Sequence, residues 1–296
     1  MQSDNTLLYC AAPSKINLFL KVTGKRANGY HELESLFLPL SEPADDIAID
    51  TEAVPGTITV GTSDVMLPGG TGNIAGKAAE LWSRRSCVMP HWDINIVKNI
   101  PVAAGMGGGS SDAATVLKML NKSANEPLSA EELADAALEL GADVPFFLKP
   151  RPAVMTGIGE KSSPLDFELP ELNILLLAPL FPVSAAEGYR LLLPELIKPM
   201  DEKVRTELLS ALKSGDLEKI AALLFNDLQA GVFNKYPILP ILCEAMKNTG
   251  ALTAMMTGSG PTLFGIYKDK ESRSKAAKEL QTAYPECKVI EASQLR

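Results

Sequence analysis

Apolar and polar residues along the chain follow two periods, which predict strands and helices in mixed order. Residues 92–98 alternate apolar and polar side chains, and residues 173–178 are almost continuously apolar, so both segments are predicted strands. Residues 7–22 are predicted to form a strand, a turn and a strand. Residues 45–60 hold two alternating runs separated by a Pro-Gly pair, which is the pattern of a β-hairpin.

Helical periods occupy the segments between these strands. Asn73 is a suitable N-cap for a helix with one apolar face, and a second helix is predicted to begin near Ser110. A third begins at Ser129, where Glu132 completes a capping box, and it ends at Gly141. The remaining predicted elements are helices over 184–193, 201–213, 216–230 and 238–248 and a strand over 251–256.

This alternation of strands and helices predicts a mixed α/β (α+β) architecture in two layers. The chain has 296 residues, which exceeds one typical domain length. Proline and glycine cluster between residues 150 and 165. We therefore predict an N-terminal domain over residues 1–160 and a C-terminal domain over residues 161–296.

Composition narrows the classes of function. The formal net charge is -8, which disfavours nonspecific binding to nucleic acid or to anionic membranes. The four cysteines are far apart and form no CxxC pair, and two histidines are present, so a zinc site or disulfide framework is not expected. The first ten residues include Asp4 and lack a signal-peptide core, and the longest apolar run, 174–183, is too short to span a bilayer. We expect a cytoplasmic protein.

The segment most informative about function is a glycine-rich loop, residues 101–114, between a predicted strand and a predicted helix. Glycines allow positive φ angles and close approach of a ligand. The first N–H groups of a helix lack intrahelical partners and bind anions well. Ser110 and Ser111 add hydroxyl groups that can reach phosphate oxygens or Mg²⁺. The loop is therefore predicted to hold phosphates, and a tight turn without a ligand is the alternative.

Three common nucleotide motifs do not fit this loop. A P-loop requires Gly-Lys-Ser/Thr, but Ser110 follows Gly109 directly. A dinucleotide-binding fingerprint starting at Gly105 requires glycine or alanine where Ser110 stands. The catalytic-loop and metal-binding triplets of protein kinases are missing from the sequence. The loop is a phosphate-binding segment of another type.

Six segments carry a resemblance to a known family: 12–20, 29–33, 101–114, 141–147, 157–160 and 256–261. Together they resemble the galactokinase, homoserine kinase, mevalonate kinase and phosphomevalonate kinase superfamily. Lys15-Ile-Asn17 and Gly29-Tyr-His31 are most similar to its 4-diphosphocytidyl-2-C-methyl-D-erythritol kinases, which act in non-mevalonate isoprenoid synthesis. The resemblance implies two α/β domains with the active site in the cleft between them, the N-terminal one binding ATP and the C-terminal one the substrate.

The resemblance also implies roles for individual residues. Asp143 would be the catalytic base and Lys15 its partner, while Asn17, Tyr30 and His31 would contact the cytidine-bearing substrate. Lys98 would lie beside the adenine. ATP and Mg²⁺ are the implied cofactors, and the partners are small molecules, ATP and a cytidine-diphosphate-linked polyol. The residues implied to hold the ATP phosphates are Pro101, Val102, Ala103, Ala104, Gly105, Met106, Gly107, Gly108, Gly109, Ser110 and Ser111.

Two positions depart from the family pattern. Ala103 stands where the family usually has glycine, which predicts a stiffer first turn of the glycine loop. Ala185 stands where the family tends to have threonine, so a hydroxyl is missing there. Tyr189 nevertheless remains as a candidate stacking wall for cytosine.

Two other functions are compatible with the same residues. The chain could be another kinase of the superfamily, of the homoserine or mevalonate type, with a different acceptor pocket. It could also be a noncatalytic nucleotide-binding protein, which would bind ATP without turnover. The loop Thr257–Pro261 is predicted to form a second backbone cradle near the phosphates, with a simple tight turn as the alternative.

Overall fold

A computed structural model describes residues 7–295. The prediction that the N-terminus lacks a signal peptide concerns in part residues 1–6, which lie outside that range. The strands are β1 (Leu7–Lys25), β2 (His31–Asp50), β3 (Thr57–Thr62), β4 (His91–Val97), β5 (Ala153–Thr156), β6 (Lys161–Pro164), β7 (Asn173–Pro179), β8 (Phe225–Asn226), β9 (Thr253–Met256), β10 (Leu263–Tyr267) and β11 (Cys287–Gln294). The helices are α1 (Ile74–Ser86), α2 (Gly108–Ser123), α3 (Ala130–Leu140), α4 (Val144–Leu148), α5 (Ala185–Arg190), α6 (Glu202–Ser214), α7 (Leu217–Leu223), α8 (Gln229–Lys235), α9 (Ile238–Asn248) and α10 (Lys270–Ala283).

The described residues form two compact units that are interleaved along the chain. The long strands β1 and β2 contribute residues to both units, and the glycine loop passes from one unit to the other and back. The division into functional domains at residue 160 stays a prediction, and the compact units do not coincide with it. The first unit contains residues 7–14, Ala44–Val102 and Gly107–Pro150, and the second contains Lys15–Pro43, Ala103–Met106 and residues 151–295.

In the first unit, β4 lies between β2 and β3. It pairs antiparallel with β2, with Ile49 opposite Ile94, and parallel with β3, with Val60 also opposite Ile94. The predicted hairpin over residues 45–60 is therefore wrong, although both of its strands exist. The chain continues from β3 through α1 into β4, and such a crossover places two parallel strands side by side. β4 thus occupies the position that a hairpin would have given to β3.

Three helices of the first unit, α1, α2 and α3, begin close to where the sequence predicts, whereas α4 was not predicted. Asn73 caps α1 by accepting a hydrogen bond from Ala75 N at 3.0 Å. Ser129 and Glu132 form the predicted capping box of α3. α2 begins two residues earlier than predicted, at Gly108. Its apolar face is buried, as the period of the sequence predicts.

In the second unit, four antiparallel strands follow the order β11, β7, β10, β9. β7 is buried along its whole length, which agrees with its continuously apolar sequence. Side chains of α9 and α10, including Met246 and Leu280, pack with Leu175 and Leu177 of β7 in one core. Residues 7–22, predicted as two strands with a turn, instead belong to the single strand β1.

One predicted helix of the second unit is wrong. Residues 216–230 contain the short helices α7 and α8 with β8 between them. β8 pairs in parallel with β1, with Asn226 opposite Leu20. Asn226 and Asp227 favour helices weakly, since their side chains compete for backbone hydrogen bonds. The mixed α/β fold class is confirmed.

Candidate active site

The glycine loop connects the two units through backbone conformations that few residues adopt. Gly105 and Gly107 have φ angles of 75° and 74°, and Ala103 has a φ of 49°. A Cβ atom at Gly105 would lie 2.3 Å from the carbonyl oxygen of Thr257. Glycine is therefore required at position 105 by both its dihedral angle and its close neighbour.

The first turn of α2 carries the features of an anion site. Gly107 is the N-cap and provides no side chain, so the first N–H groups of the helix are not capped by it. Ser111 Oγ and Thr115 Oγ1, one helical turn apart, are buried and have no hydrogen-bond partner among the described residues. A buried hydroxyl usually finds a partner. Ser111 therefore fits a role toward phosphate oxygens or a cation bound to them.

Lys15 lies in β1 with its ammonium group held by oxygen acceptors. Its Nζ is 2.7 Å from Asn17 Oδ1 and 2.8 Å from the carbonyl oxygen of Gly105. It also lies 4.8 Å from the centre of the Phe37 ring. The structure therefore brings Lys15, Asn17 and Gly105 of the glycine loop together within the second unit.

The Thr257–Pro261 loop contacts the same group of residues. Thr257 Oγ1 accepts a hydrogen bond from Asn17 N at 2.9 Å, and it donates one to Asn17 Oδ1 at 3.3 Å. Gly260 N donates to Thr257 O at 2.9 Å, which closes the turn. Whether this loop also cradles phosphates, as predicted, stays a prediction. Its observed contacts support Lys15 and Gly105.

Asp143 is the half-buried residue immediately before α4. The turn that carries it is closed by a hydrogen bond from Val144 N to Gly141 O at 3.1 Å. Its side chain does not cap α4. The turn fixes the backbone of Asp143, as predicted. Asp143 and Lys15 belong to different compact units, and their catalytic pairing stays a prediction.

Lys98 is held in an ion-pair cluster of the first unit. Its Nζ bonds Asp112 Oδ2 at 2.6 Å and also bonds Asp45 Oδ2, and 7% of its side chain is exposed. Asp45 Oδ1 accepts hydrogen bonds from Asn99 N and Ile100 N. The predicted contact of Lys98 with adenine stays a prediction. In the structure, the ion pairs of Lys98 link Asp45 of β2 to Asp112 near the start of α2.

Burial shifts the protonation equilibria in this cluster. Loss of hydration raises the pKa of Asp112 to about 7, and the nearby Asp45 carboxylate adds to the rise against the opposing charge of Lys98. Burial lowers the pKa of Lys98, but the charges of Asp112 and Asp45 outweigh it, so the net shift is upward. One lysine shared by two buried carboxyl groups thus favours a proton on Asp112.

The residues predicted to contact the cytidine-bearing substrate lie in three places. Asn17 is in β1, Tyr30 and His31 are at the start of β2, and Tyr189 is on α5. The rings of His31 and Tyr189 stack with centroids 5.1 Å apart and planes 13° apart. Tyr30 is 59% exposed. Burial, followed by the positive charge of Lys25, lowers the pKa of His31, which favours a neutral imidazole. The structure therefore brings His31 and Tyr189 together, while Tyr30 faces solvent.

Several residues that shape this site were not identified from the sequence. Asp45 and Asp112 stand in unremarkable contexts, and only their long-range contacts with Lys98 mark them. Asn226, which bonds the Thr257–Pro261 loop, lies inside the segment wrongly predicted as helix. Its adjacent Asn-Asp pair is a weak signal against that helix.

Comparison with known proteins identifies the family. Residues 73–150 match the family described as GHMP kinases N terminal domain, and residues 208–286 match GHMP kinases C terminal. The chain is 37% identical to the 4-diphosphocytidyl-2-C-methyl-D-erythritol kinase of Alkaliphilus oremlandii (strain OhILAs), over 96% of each chain. It is 38% identical to that of Clostridioides difficile (strain 630), over 95% of this chain and 94% of the relative. The chain belongs to the 4-diphosphocytidyl-2-C-methyl-D-erythritol kinase family.

Solved structures agree with this family. A crystal structure of a 4-(cytidine 5'-diphospho)-2C-methyl-D-erythritol kinase matches with a TM-score of 0.80 at 32% identity, over 97% of this chain and 98% of that one. A homoserine kinase from Cytophaga hutchinsonii matches with a TM-score of 0.76 at 16% identity, over 99% and 96% of the two chains. The second similarity shows a shared fold alone.

The family confirms the resemblance inferred from the sequence, and with it the prediction of an enzyme that transfers phosphate from ATP. The homoserine- and mevalonate-type alternatives are less well supported, since structures of those kinases match at 16% and 17% identity. Among residues 7–295, none of the helices combines the length and the apolar character that crossing a membrane requires.

Proposed function

We propose that this chain uses ATP to phosphorylate the 2-hydroxyl group of 4-diphosphocytidyl-2-C-methyl-D-erythritol, a step of non-mevalonate isoprenoid synthesis. The observation that carries this proposal is the similarity to kinases of that name at 36–39% identity over more than nine-tenths of the chain. The arrangement of Lys15, Asn17 and the glycine loop agrees with it.

The glycine loop is proposed to hold the phosphates of ATP. Phosphoryl transfer depends mainly on positioning and on neutralising charge. Gly107 leaves the first N–H groups of α2 without a side-chain cap, and the helix dipole favours negative charge at that end. The net charge of -8 makes such local donors important, because the overall field of the protein repels ATP.

Asp143 is proposed to accept the proton of the attacking hydroxyl group. A carboxylate within hydrogen-bond reach of an alcohol can act as a general base. Lys15 is proposed to stabilise the negative charge that develops on the alcohol oxygen. Hydrogen bonds to Asn17 Oδ1 and Gly105 O help to fix the position of that charge.

The cytosine is proposed to stack against the His31–Tyr189 pair. A centroid distance of 5.1 Å is direct ring contact, so a base between the two rings would have to open the stack. A neutral imidazole can donate from one nitrogen and accept at the other. Tyr30, which is exposed, and Asn17 complete the proposed substrate contacts.

Mg²⁺ is proposed to accompany ATP. This ion usually keeps several waters and binds one or two protein oxygens together with the phosphates of the substrate. The buried hydroxyl of Ser111, which has no partner among residues 7–295, fits such a role, with Ser110 beside it. When bound, the ion neutralises phosphate charge.

ADP formation tests the proposal. Purified protein is mixed with Mg-ATP and one of three acceptors: 4-diphosphocytidyl-2-C-methyl-D-erythritol, homoserine or mevalonate. ADP is expected with the cytidylyl acceptor alone. ADP with homoserine or mevalonate instead would support another kinase of the superfamily. ATP binding without ADP from any acceptor, by protein shown to be folded, would support a noncatalytic nucleotide-binding protein.

Substitution of Asp143 tests its proposed role as base. Asp143→Asn keeps the size of the side chain but removes the proton acceptor, so kcat should fall by about 10²-fold or more. Asp135→Asn removes an exposed carboxyl group from α3 and is the matched control. A kcat close to that of the wild type in the Asp143 variant would exclude Asp143 as the base.

A further inference from the structure

Asn226 is a buried side chain whose hydrogen-bonding capacity is directed at one loop. Its Nδ2 donates to the carbonyl oxygens of Met256 at 2.9 Å and Gly258 at 2.8 Å, and its Oδ1 accepts from Leu228 N at 3.0 Å. It is 8% exposed. Two donors and one acceptor on a single short side chain are a combination that asparagine provides.

The two carbonyl groups that Asn226 holds lie on either side of Thr257. Met256 is fixed from a second direction, because its N–H donates to Gln229 Oε1 at 2.8 Å. Thr257 itself is fully buried. The backbone before and after Thr257 is therefore anchored by side chains from the β8–α8 segment.

Thr257 is connected to Lys15 through Asn17. Its hydroxyl group contacts both Asn17 N and Asn17 Oδ1, and Asn17 Oδ1 accepts a hydrogen bond from the Lys15 ammonium. Gly105 O, which also accepts from the Lys15 ammonium, belongs to the residue whose missing Cβ leaves space for Thr257 O. A displacement of Thr257 is therefore expected to disturb Asn17 Oδ1 and Gly105 O, which both accept from Lys15.

We infer that Asn226 is a positioning residue for phosphoryl transfer, which holds the Lys15 ammonium in place through Thr257 and Asn17. The inference rests on the proposed kinase activity and extends it to a residue outside the glycine loop. A small displacement of a catalytic group lowers the rate far more than it weakens substrate binding. Asn226 should therefore affect kcat more than KM.

The adjacent Asp227 provides a matched control. It is also 8% exposed, and its Oδ2 accepts from Lys21 Nζ and Val22 N, both at 2.9 Å. These partners lie in β1 and not in the Thr257–Pro261 loop. Asp227→Asn should therefore disturb packing to a similar extent without moving Lys15.

The decisive experiment compares steady-state kinetics of Asn226→Asp and Asp227→Asn, corrected for the folded fraction. Asn226→Asp places a carboxylate oxygen against two carbonyl oxygens. Its kcat should fall about 10- to 100-fold, with both KM values within about threefold of the wild type. Asp227→Asn should keep kcat within about threefold. A near-normal kcat in Asn226→Asp, or an equal loss in both variants, would overturn the inference.

A double-mutant cycle tests whether the effect passes through Thr257. Thr257→Val removes the hydroxyl group, whereas Thr257→Ser keeps it and should retain most of kcat. In the Thr257→Val background, Asn226→Asp should cost much less than it does alone, since coupled residues are not additive. Additive losses would contradict the inference. If Asn226→Asp does not fold, Asn226→Ser replaces it, with the same expected and contradicting outcomes.

Failure of this inference is distinguishable from failure of the proposed function. The wild type is assayed first with Mg-ATP and the cytidylyl acceptor. Lack of wild-type turnover would reject the function. Wild-type turnover together with normal kcat in the Asn226 variant would reject only the positioning role.

Discussion

At the scale of single residues, Ala103 combines an L-amino acid with a left-handed backbone. Its φ is 49°, which lies in the region that favours glycine. An L-residue in this region costs roughly 1–2 kcal/mol, because Cβ approaches a carbonyl oxygen. The stiffness predicted for this turn stays a prediction, and the φ angle of Ala103 could not be predicted from the sequence.

Ala103→Gly should leave the free energy of unfolding unchanged or raise it by up to about 1 kcal/mol. Glycine relieves the backbone conformation, and its greater freedom in the unfolded chain opposes part of that gain by about 0.4–1 kcal/mol. Urea denaturation measures the difference. Ala277→Gly, within α10, is the control and should cost about 1 kcal/mol. A loss in Ala103→Gly equal to that of the control would contradict the strain argument.

His31→Ala should raise KM for the cytidylyl substrate and leave KM for ATP near its wild-type value. The substitution removes both the ring that stacks on Tyr189 and the nitrogens proposed to bond the base. Steady-state kinetics with each substrate varied in turn measures the two constants. His91→Ala, which changes the other histidine of the chain, is the control. An equal rise in both KM values would argue against base recognition by His31.

At the scale of elements, the Lys98 cluster joins a strand end, the segment before the glycine loop and the start of α2. Asp45 holds Lys98, Asn99 and Ile100 from β2, and Asp112 holds Lys98 from α2. Removing Lys98 would leave the two buried carboxyl groups without their cation, and breaking a buried ion pair in this way typically costs about 3–5 kcal/mol. The cluster therefore restrains both ends of the loop that is proposed to bind ATP.

Asp112→Asn should remove one contribution to the pH dependence of stability. In the wild type, Asp112 is expected to lower the free energy of unfolding as the pH rises from about 4 to 7. The pKa of Asp112 is raised to about 7, above the ordinary value near 3.9. In that window the folded protein binds the Asp112 proton more tightly than the unfolded chain does, so this group makes unfolding easier as the pH rises.

Urea denaturation of both proteins between pH 4.5 and 8 measures this difference. The contribution of Asp112 lowers the free energy of unfolding as the pH rises, and Asp112→Asn lacks this contribution. The wild-type free energy of unfolding should therefore fall relative to that of Asp112→Asn over this pH range. Asp135→Asn, an exposed substitution in α3, serves as the control for general charge effects. Parallel curves for the wild type and Asp112→Asn would show that Asp112 does not titrate in this window.

The elements themselves were predictable wherever local signals agree. The caps at Asn73 and Ser129 and the apolar periods of α2 and β7 are properties of neighbouring residues. The prediction of a hairpin over 45–60 was wrong, because β4, from a later part of the chain, lies between the two strands and pairs with both. The prediction of one helix over 216–230 was wrong, because β8 within this segment pairs with β1 despite the helical period of the sequence.

At the scale of the whole molecule, family and chemistry were more predictable than organisation. The glycine loop was predicted from its own residues, whereas the role of the Lys15-to-Asn17 segment was predicted from the resemblance to a known family. The residues of β1, β2 and the glycine loop, in contrast, are divided between the two compact units. This division depends on contacts between distant parts of the chain, so no short sequence pattern predicts it. The same is true of Asn226, whose role depends on a loop about 30 residues away in sequence.

The most direct test of the central claim is ³¹P NMR of a reaction of the wild-type protein with Mg-ATP and 4-diphosphocytidyl-2-C-methyl-D-erythritol. We expect the γ-phosphate resonance of ATP to be replaced by ADP signals and one new phosphomonoester resonance in equal amounts. The diphosphate signals of the cytidylyl group should remain. Release of cytidine monophosphate, or loss of ATP without a phosphomonoester of the acceptor, would contradict phosphorylation of the polyol hydroxyl.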